Sequence, residues 1–178
     1  MLFKTKRLVI RKWTPKDAAD LFEYCSDVTV TKYLTFPIYK SINDASERIA
    51  DILNRYARGD KDGIDYAIDL DGKVIGSIGL NIYSEKQGRS MEIGYLLNPK
   101  YQGSGYMTEA LVGMFKYIKE KDLAWRIVAK HDTENKKSGA VMLRAGMKFE
   151  GIARMGISNN NNMRADNAMY SILIEEII

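Results

Sequence analysis

Two glycines carry the first chemical signal in this chain of 178 residues. Gly103 and Gly105 flank Ser104 just after an apolar run, residues 93–97, has closed at Asn98-Pro99. Beyond them Ala110, Leu111, Met114, Phe115 and Ile118 recur at helical spacing, so the glycines form a loop that feeds a helix N-terminus. The first turn of a helix holds unpaired N–H groups and partial positive charge, and backbone without Cβ atoms lets an anion come close. The chemistry on offer is the binding of a phosphate or pyrophosphate.

The spacing narrows which one. A P-loop requires Lys-Ser or Lys-Thr after its last glycine, and Tyr106-Met107 stand there instead. A dinucleotide fingerprint requires glycine at Thr108 and an acid closing the next strand, whereas Asp122 precedes that strand. Both patterns fail on a named residue. What remains is Gln-x-x-Gly-x-small, spelled here Gln102-Gly103-Ser104-Gly105-Tyr106-Met107.

Other chemistries have less to work with. His131 is the single histidine, and it falls at a strand end before an acidic turn, where a structural role is expected. One His and one Cys cannot form a zinc site, and the carboxylates show no ligand spacing, so no metal is expected. The lone Cys25 excludes an intramolecular disulfide and fits a reducing compartment. Net charge is +4, but 27 Lys and Arg are interleaved with 23 Asp and Glu, which speaks against a direct nucleic-acid partner. The N-terminal apolar stretch is too short and too charged for a signal peptide or membrane span, and a cytoplasmic protein without membrane contact is expected.

The elements that must position the loop follow from periodicity. Residues 7–13 read as a strand; Thr14-Pro15 then caps a helix that turns Ala18, Leu21, Phe22 and Cys25 inward, and a short helical piece runs on to Tyr33. The basic residues Lys4, Lys6, Arg7, Arg11 and Lys12 divide between two strand faces and read as a solvated edge. Aromatics in the loop at residues 35–39 are placed to line a cleft. Ser41 caps a third helix, with Ala45, Ile49, Ile52 and Tyr56 in its stripe, and Gly59 ends it. Residues 64–70 and 74–83 form a hairpin about Asp71-Gly72, where Gly76 and Gly79 suggest a bulge or a close approach. A turn at 84–88 leads to the strand before the glycine loop. After the helix at 105–121 come a strand at 125–131, a helix opened through residues 132–135 and stopped at Gly146, and a hairpin of 147–158 with 163–174 joined by the asparagines 159–162. One domain over 1–178 is expected.

A second motif joins the first. Asn135-x-x-Ser138-x-x-Val141-x-x-Arg144-x-Gly146 resembles a block of the GCN5-related N-acetyltransferase (GNAT) family, whose coenzyme A loop the Gln102–Met107 pattern also resembles. The segments 5–17 and 166–173 look like the RimJ/RimL-like branch, which acetylates ribosomal-protein N-termini, so the resemblance covers nearly the whole chain. It implies an α/β (α+β) GNAT fold with a mixed central sheet of about seven strands, and transfer of an acetyl group from acetyl-CoA to a primary amine by direct attack in a ternary complex. Gln102, Gly103, Ser104, Gly105, Tyr106 and Met107 would hold the pyrophosphate through backbone amides, with a hydroxyl from Thr108. Tyr95, Leu96 and Leu97 would pair with the pantetheine along a splayed strand, and Asn135 would bond its arm. Lys100, Lys136, Lys137 and Arg144 are candidates for the adenosine phosphates. Met107 and Met147 depart from the family's usual small residue and phenylalanine without removing a donor.

An amine must be neutral to attack a thioester, and an α-amine near pKa 7.8 needs less help than a lysine near 10.4. Glu92, on the strand that leads to the loop, is the expected base, and Ser138 the expected proton donor to the leaving thiolate. The acceptor reads as a protein or peptide N-terminal α-amine, such as that of a ribosomal protein. A polyamine, amino sugar or antibiotic amine is the alternative acceptor, and a non-catalytic CoA sensor the alternative role. A monomer is expected, or a homodimer paired through the last hairpin.

Overall fold

The computed structural model describes residues 1–84, 89–158 and 164–178. Eight strands make one sheet in the order β1-β2-β3-β4-β5-β6-β8-β7. These are β1 Phe3–Lys4, β2 Val9–Arg11, β3 Ile64–Leu70, β4 Lys73–Ser84, β5 Ser90–Leu97, β6 Arg126–Asp132, β7 Lys148–Ser158 and β8 Arg164–Leu173. Neighbours are antiparallel except β5 and β6, which are parallel and joined through a helix. The helices are α1 Ala18–Cys25, α2 Val28–Thr31, α3 Ile42–Arg58, α4 Tyr106–Glu120 and α5 Lys136–Arg144.

The sheet thus has eight strands, not the expected seven. The stretch at 7–13 contributes only Val9–Arg11; before it the Leu8 carbonyl accepts from the Thr5 N–H, and the chain folds back to lay Phe3–Lys4 along β2. Two residues are too few for alternation to register. The helical piece expected to reach Tyr33 is a single turn, capped where the Asp27 carboxylate accepts from the Thr29 N–H at 2.8 Å. Asp132 stays in the sheet opposite Asn167, so α5 starts only after its N-cap Asn135. The turn expected at 84–88 and the asparagine turn at 159–162 fall outside the described residues, apart from Ser84, which ends β4.

Alternation along the strands sends neighbours to opposite faces and builds two cores. Ile10, Ile68, Ile78, Ile93 and Ile127 pack beneath Leu111, Met114, Phe115 and Ile118 of α4 and Met142 of α5. On the other face Trp13 and Ala67 meet Leu21, Tyr24 and Cys25 of α1 and Ala45, Ile49 and Ile52 of α3. The second face also carries buried charge. Arg11 reaches both oxygens of Asp17 at 2.8 and 2.9 Å and Asp69 at 2.8 Å, tying β2 to β3 and to the turn before α1. The hairpin of β3 and β4 turns as its residues require, with Asp71 at φ 52 and Gly72 at φ 90. Gly76 marks a close approach: a Cβ there would lie 2.3 Å from the Leu96 carbonyl oxygen.

Candidate active site

The junction of β5 and α4 has the shape its glycines imply. Gly103 at φ 83 and Gly105 at φ 78 occupy the left-handed region, where a Cβ is penalised. A Cβ on Gly103 would meet nothing within 4 Å, and one on Gly105 only the Arg7 guanidinium at 3.6 Å, so the loop is open on its outer side. Gly105 is the N-cap of α4 and no side chain caps that end, which leaves the first amides to water or a ligand. This open backbone fits a pyrophosphate. Met107 is buried under the helix, as its bulk implies, while Thr108 borders a groove of about 540 Å³ whose rim includes Lys4, Lys116 and Arg144.

One acid sits in this turn and would repel an anion. Glu109, however, is engaged: it accepts from the Thr5 hydroxyl at 2.6 Å, from the Arg7 N–H at 2.8 Å and from the Arg7 guanidinium at 2.6 Å. Burial acts to raise its carboxyl, and the Thr5 and Arg7 bonds outweigh that and hold it below its usual value. Arg7 also donates to the Ser104 carbonyl at 2.9 Å and lies 4.2 Å over the Tyr106 ring. The sequence reading missed this brace, because residues far apart in the chain make it. Gln102 spans the loop and α5, donating to the Leu97 carbonyl at 3.4 Å and accepting from Lys137 at 3.5 Å. Of the other basic candidates, Lys100 pairs with Glu23 at 2.8 Å, and Arg144 alone joins the groove.

The strand before the loop does splay. β5 and β6 pair at Ser90 with Arg126, Met91 with Ile127 and Glu92 with Val128, and then part. Gly94, Tyr95, Leu96 and Leu97 keep β4 on one side and have no strand on the other, an edge to which an amide-bearing chain can add. Across this slot the Tyr95 hydroxyl meets both the Ser138 hydroxyl and the Ser138 carbonyl at 2.9 Å. Burial pushes the Tyr95 phenol up to about 12, against the opposing pull of Ser138, so it keeps its proton. Two hydroxyls therefore stand together, where the sequence points to Ser138 alone. Asn135 caps α5 beside them without a side-chain bond to the helix.

Glu92 lies at the last paired position, and Lys130 donates to it at 3.0 Å. Strand alternation puts it with Gly94 and Leu96 on the face opposite Tyr95. On that face a cleft of about 190 Å³ is walled by Trp13, Phe36, Tyr39, Arg48 and Asp65 and floored by Gly94 and Leu96. The loop aromatics Phe36 and Tyr39 thus line a cleft. Cys25 also borders the cleft, but burial pushes its thiol up to about 12, so it stays neutral and is a poor nucleophile. His131 is buried, its Nδ1 2.7 Å from the Asp132 carbonyl and its ring stacked on Tyr170, with Gly139 packed against Nε2. Among the described residues no three His, Cys, Asp or Glu side chains gather as metal ligands, and no helix is long and apolar enough to cross a membrane.

Residues 7–148 match the family model described as the acetyltransferase (GNAT) domain. The uncharacterized N-acetyltransferase YnaD of Bacillus subtilis (strain 168) is 32% identical over 177 residues, which cover 99% of each chain. A solved acetyltransferase of the GNAT family from Bacillus anthracis superposes with a TM-score of 0.81 at 31% identity, over 97% of this chain and 98% of that one. RimL, a ribosomal L7/L12 alpha-N-protein acetyltransferase solved with coenzyme A, shares the fold at a TM-score of 0.83 and 21% identity, over 98% of both chains. The open glycine loop at a helix start, the splayed strand beside it and a match over most of its length agree: the chain belongs to the GNAT family and is an acetyl-CoA-dependent N-acetyltransferase.

Proposed function

We propose that the acceptor is the α-amine of a peptide or protein N-terminus, acetylated by direct attack while acetyl-CoA is bound. The observation that carries this reading is the cleft on the second face, which borders Gly94 and Leu96, residues of β5 beyond its last pairing with β6. An extended chain entering past Phe36 and Tyr39 reaches the slot from the side opposite the glycine loop. Acetyl-CoA supplies the activated acyl group. The amides from Gln102 to Met107 hold its pyrophosphate with a hydroxyl from Thr108, the free edge of Tyr95, Leu96 and Leu97 pairs with its pantetheine, and Asn135 bonds that arm. The neutral Cys25 thiol supports direct attack over a covalent relay through the enzyme. The hydroxyls of Ser138 and Tyr95, on the other face of β5, protonate the departing sulfur.

An α-amine also suits this cleft electrostatically. From the pKa difference alone it is neutral about 400-fold more often than a lysine side chain at physiological pH, so it needs only one carboxylate nearby. RimL, by its title, acts on a ribosomal-protein α-amine, which makes such N-termini the first acceptors to try. The test is a competition among N-terminal peptides, polyamines and aminoglycosides at equal concentration, followed by free-thiol release. Preference for peptides in kcat/KM is the expected outcome, and preference for a small amine overturns the acceptor assignment. Release of CoA with none of them would favour a CoA-binding sensor.

A further inference from the structure

A row of residues crosses the second face of the sheet and ends at the slot. Asp65 of β3 stands in register with Gly79 of β4, and Gly79 with Gly94 of β5. Beyond the end of β2, the Tyr56 hydroxyl bridges Trp13 to Asp65, accepting from the Trp13 N–H at 3.4 Å and donating to the Asp65 carbonyl. Matched positions on neighbouring strands share a face, so Asp65, Gly79 and Gly94 lie on one side of the sheet, and Trp13, packed on that side, helps Asp65 close one end of a trough floored by the two glycines. The Asp65 side chain lies along that floor. A Cβ on Gly79 would sit 2.7 Å from Asp65 Oδ1, whereas one on Gly94 would project into open space. With strands about 4.8 Å apart, an amine over Gly94 is within reach of Oδ1, directly or through one water.

We propose that Asp65, rather than Glu92, is the carboxylate that takes the proton from the acceptor amine. This rests on the reading of the cleft as the acceptor side. Asp65 forms part of the cleft wall, and Glu92 does not. Arg48 of α3 grips Asp65 Oδ2, which orients the carboxylate and leaves Oδ1 without a hydrogen bond to any described residue. Trp13, which borders the same cleft, is 2% exposed, and its buried Nε1–H has no partner among the described residues. Burial raises the Asp65 carboxyl above its ordinary value against the pull of Arg48 and Arg55, with Asp51 adding to the rise. Of the other titratable groups facing it, Cys25 of α1 and Tyr39 of the loop are both pushed up to about 12 and stay neutral. A carboxylate made less stable by burial is the better base.

The step balances. Oδ1 takes one proton from the ammonium, leaving a neutral carboxylic acid and a neutral amine. The nitrogen lone pair forms the C–N bond at the thioester carbonyl carbon as the C–S bond breaks and the sulfur leaves with its electron pair. The nitrogen's second proton replaces the one that the Tyr95 and Ser138 hydroxyls pass to sulfur, and Asp65 returns its own to water.

The experiment compares the full-length protein with Asp65→Asn and Glu92→Gln, using the amine preferred in the competition assay. It reads kcat and kcat/KM against pH, and acetyl-CoA affinity by calorimetry. Asp65→Asn is expected to lose about a hundredfold or more in kcat and the acid limb of the pH profile, with cofactor affinity kept, while Glu92→Gln stays within about tenfold. An Asp65→Asn protein with wild-type kcat and an intact acid limb overturns the proposal. Should that variant fail to fold, Gly94→Ala places a methyl on the open floor; lower kcat/KM with unchanged acetyl-CoA affinity is expected, and wild-type kcat/KM overturns the trough. If a polyamine or aminoglycoside is the preferred acceptor, the peptide reading falls, and Asp65 is judged on that amine by the same two readouts.

Discussion

The two faces of the sheet meet at β5 and are built by different means. The face under α4 is apolar and ends in a loop whose working parts are backbone amides, made available by glycines and the start of a helix. The face under α1 and α3 carries a cleft made of side chains from several strands, and ion pairs bury charge close to it. Backbone sites tolerate changes of side chain and fail when a Cβ intrudes. Sites made of side chains fail when one charge goes, and they respond to pH.

The largest expected effect breaks the second face alone. Arg11 is matched to Asp17 and Asp69, and Arg11→Leu leaves two carboxylates with little solvent and no cation, a loss of about 3–5 kcal/mol in unfolding free energy by urea titration. The same site sets an acid limit. Burial acts to raise the Asp17 carboxyl, but Arg11 and the Thr14 amide outweigh it and hold it below its usual value. A carboxyl depressed in the folded state adds stability above its unfolded pKa, and that stability is lost as pH falls through the folded value. Melting temperature should therefore drop below about pH 4 in the wild type, and less steeply in Arg11→Leu.

A smaller effect belongs to the first face. Gly105→Val puts a β-branched residue at φ 78, beside the first amides of α4, and acetyl-CoA affinity measured by calorimetry should weaken by about a hundredfold, roughly 2.7 kcal/mol. Unchanged affinity in a folded Gly105→Val protein would remove the loop from the cofactor site and erase the contrast between the faces.

The mildest change sharpens where the faces meet. Ser138→Ala and Tyr95→Phe each leave one hydroxyl of the pair, so each should lower kcat by about tenfold with little change in acetyl-CoA affinity, and the double variant should lose more than either. Wild-type turnover in the double variant would remove both hydroxyls from the chemistry.

What the sequence determined by itself was local. The glycine loop, the stripe of α4, the cap at Ser41 and the Asp71-Gly72 turn each operate within a turn or two of chain, so spacing alone exposes them. The block from Asn135 to Gly146 and the splay of β5 were legible only through the family resemblance. Tertiary structure decided what register decides. It added Phe3–Lys4 as an eighth strand, set Arg7 against Glu109, brought the Tyr95 hydroxyl to Ser138 and aligned Asp65, Gly79 and Gly94 across three neighbouring strands. Nothing near Asp65 in the chain marks it, because its neighbours in space come from α3, β4 and β5. A strand's pairing partners are chosen by burial over the whole sheet, and a one-residue shift would turn Asp65 to the other face.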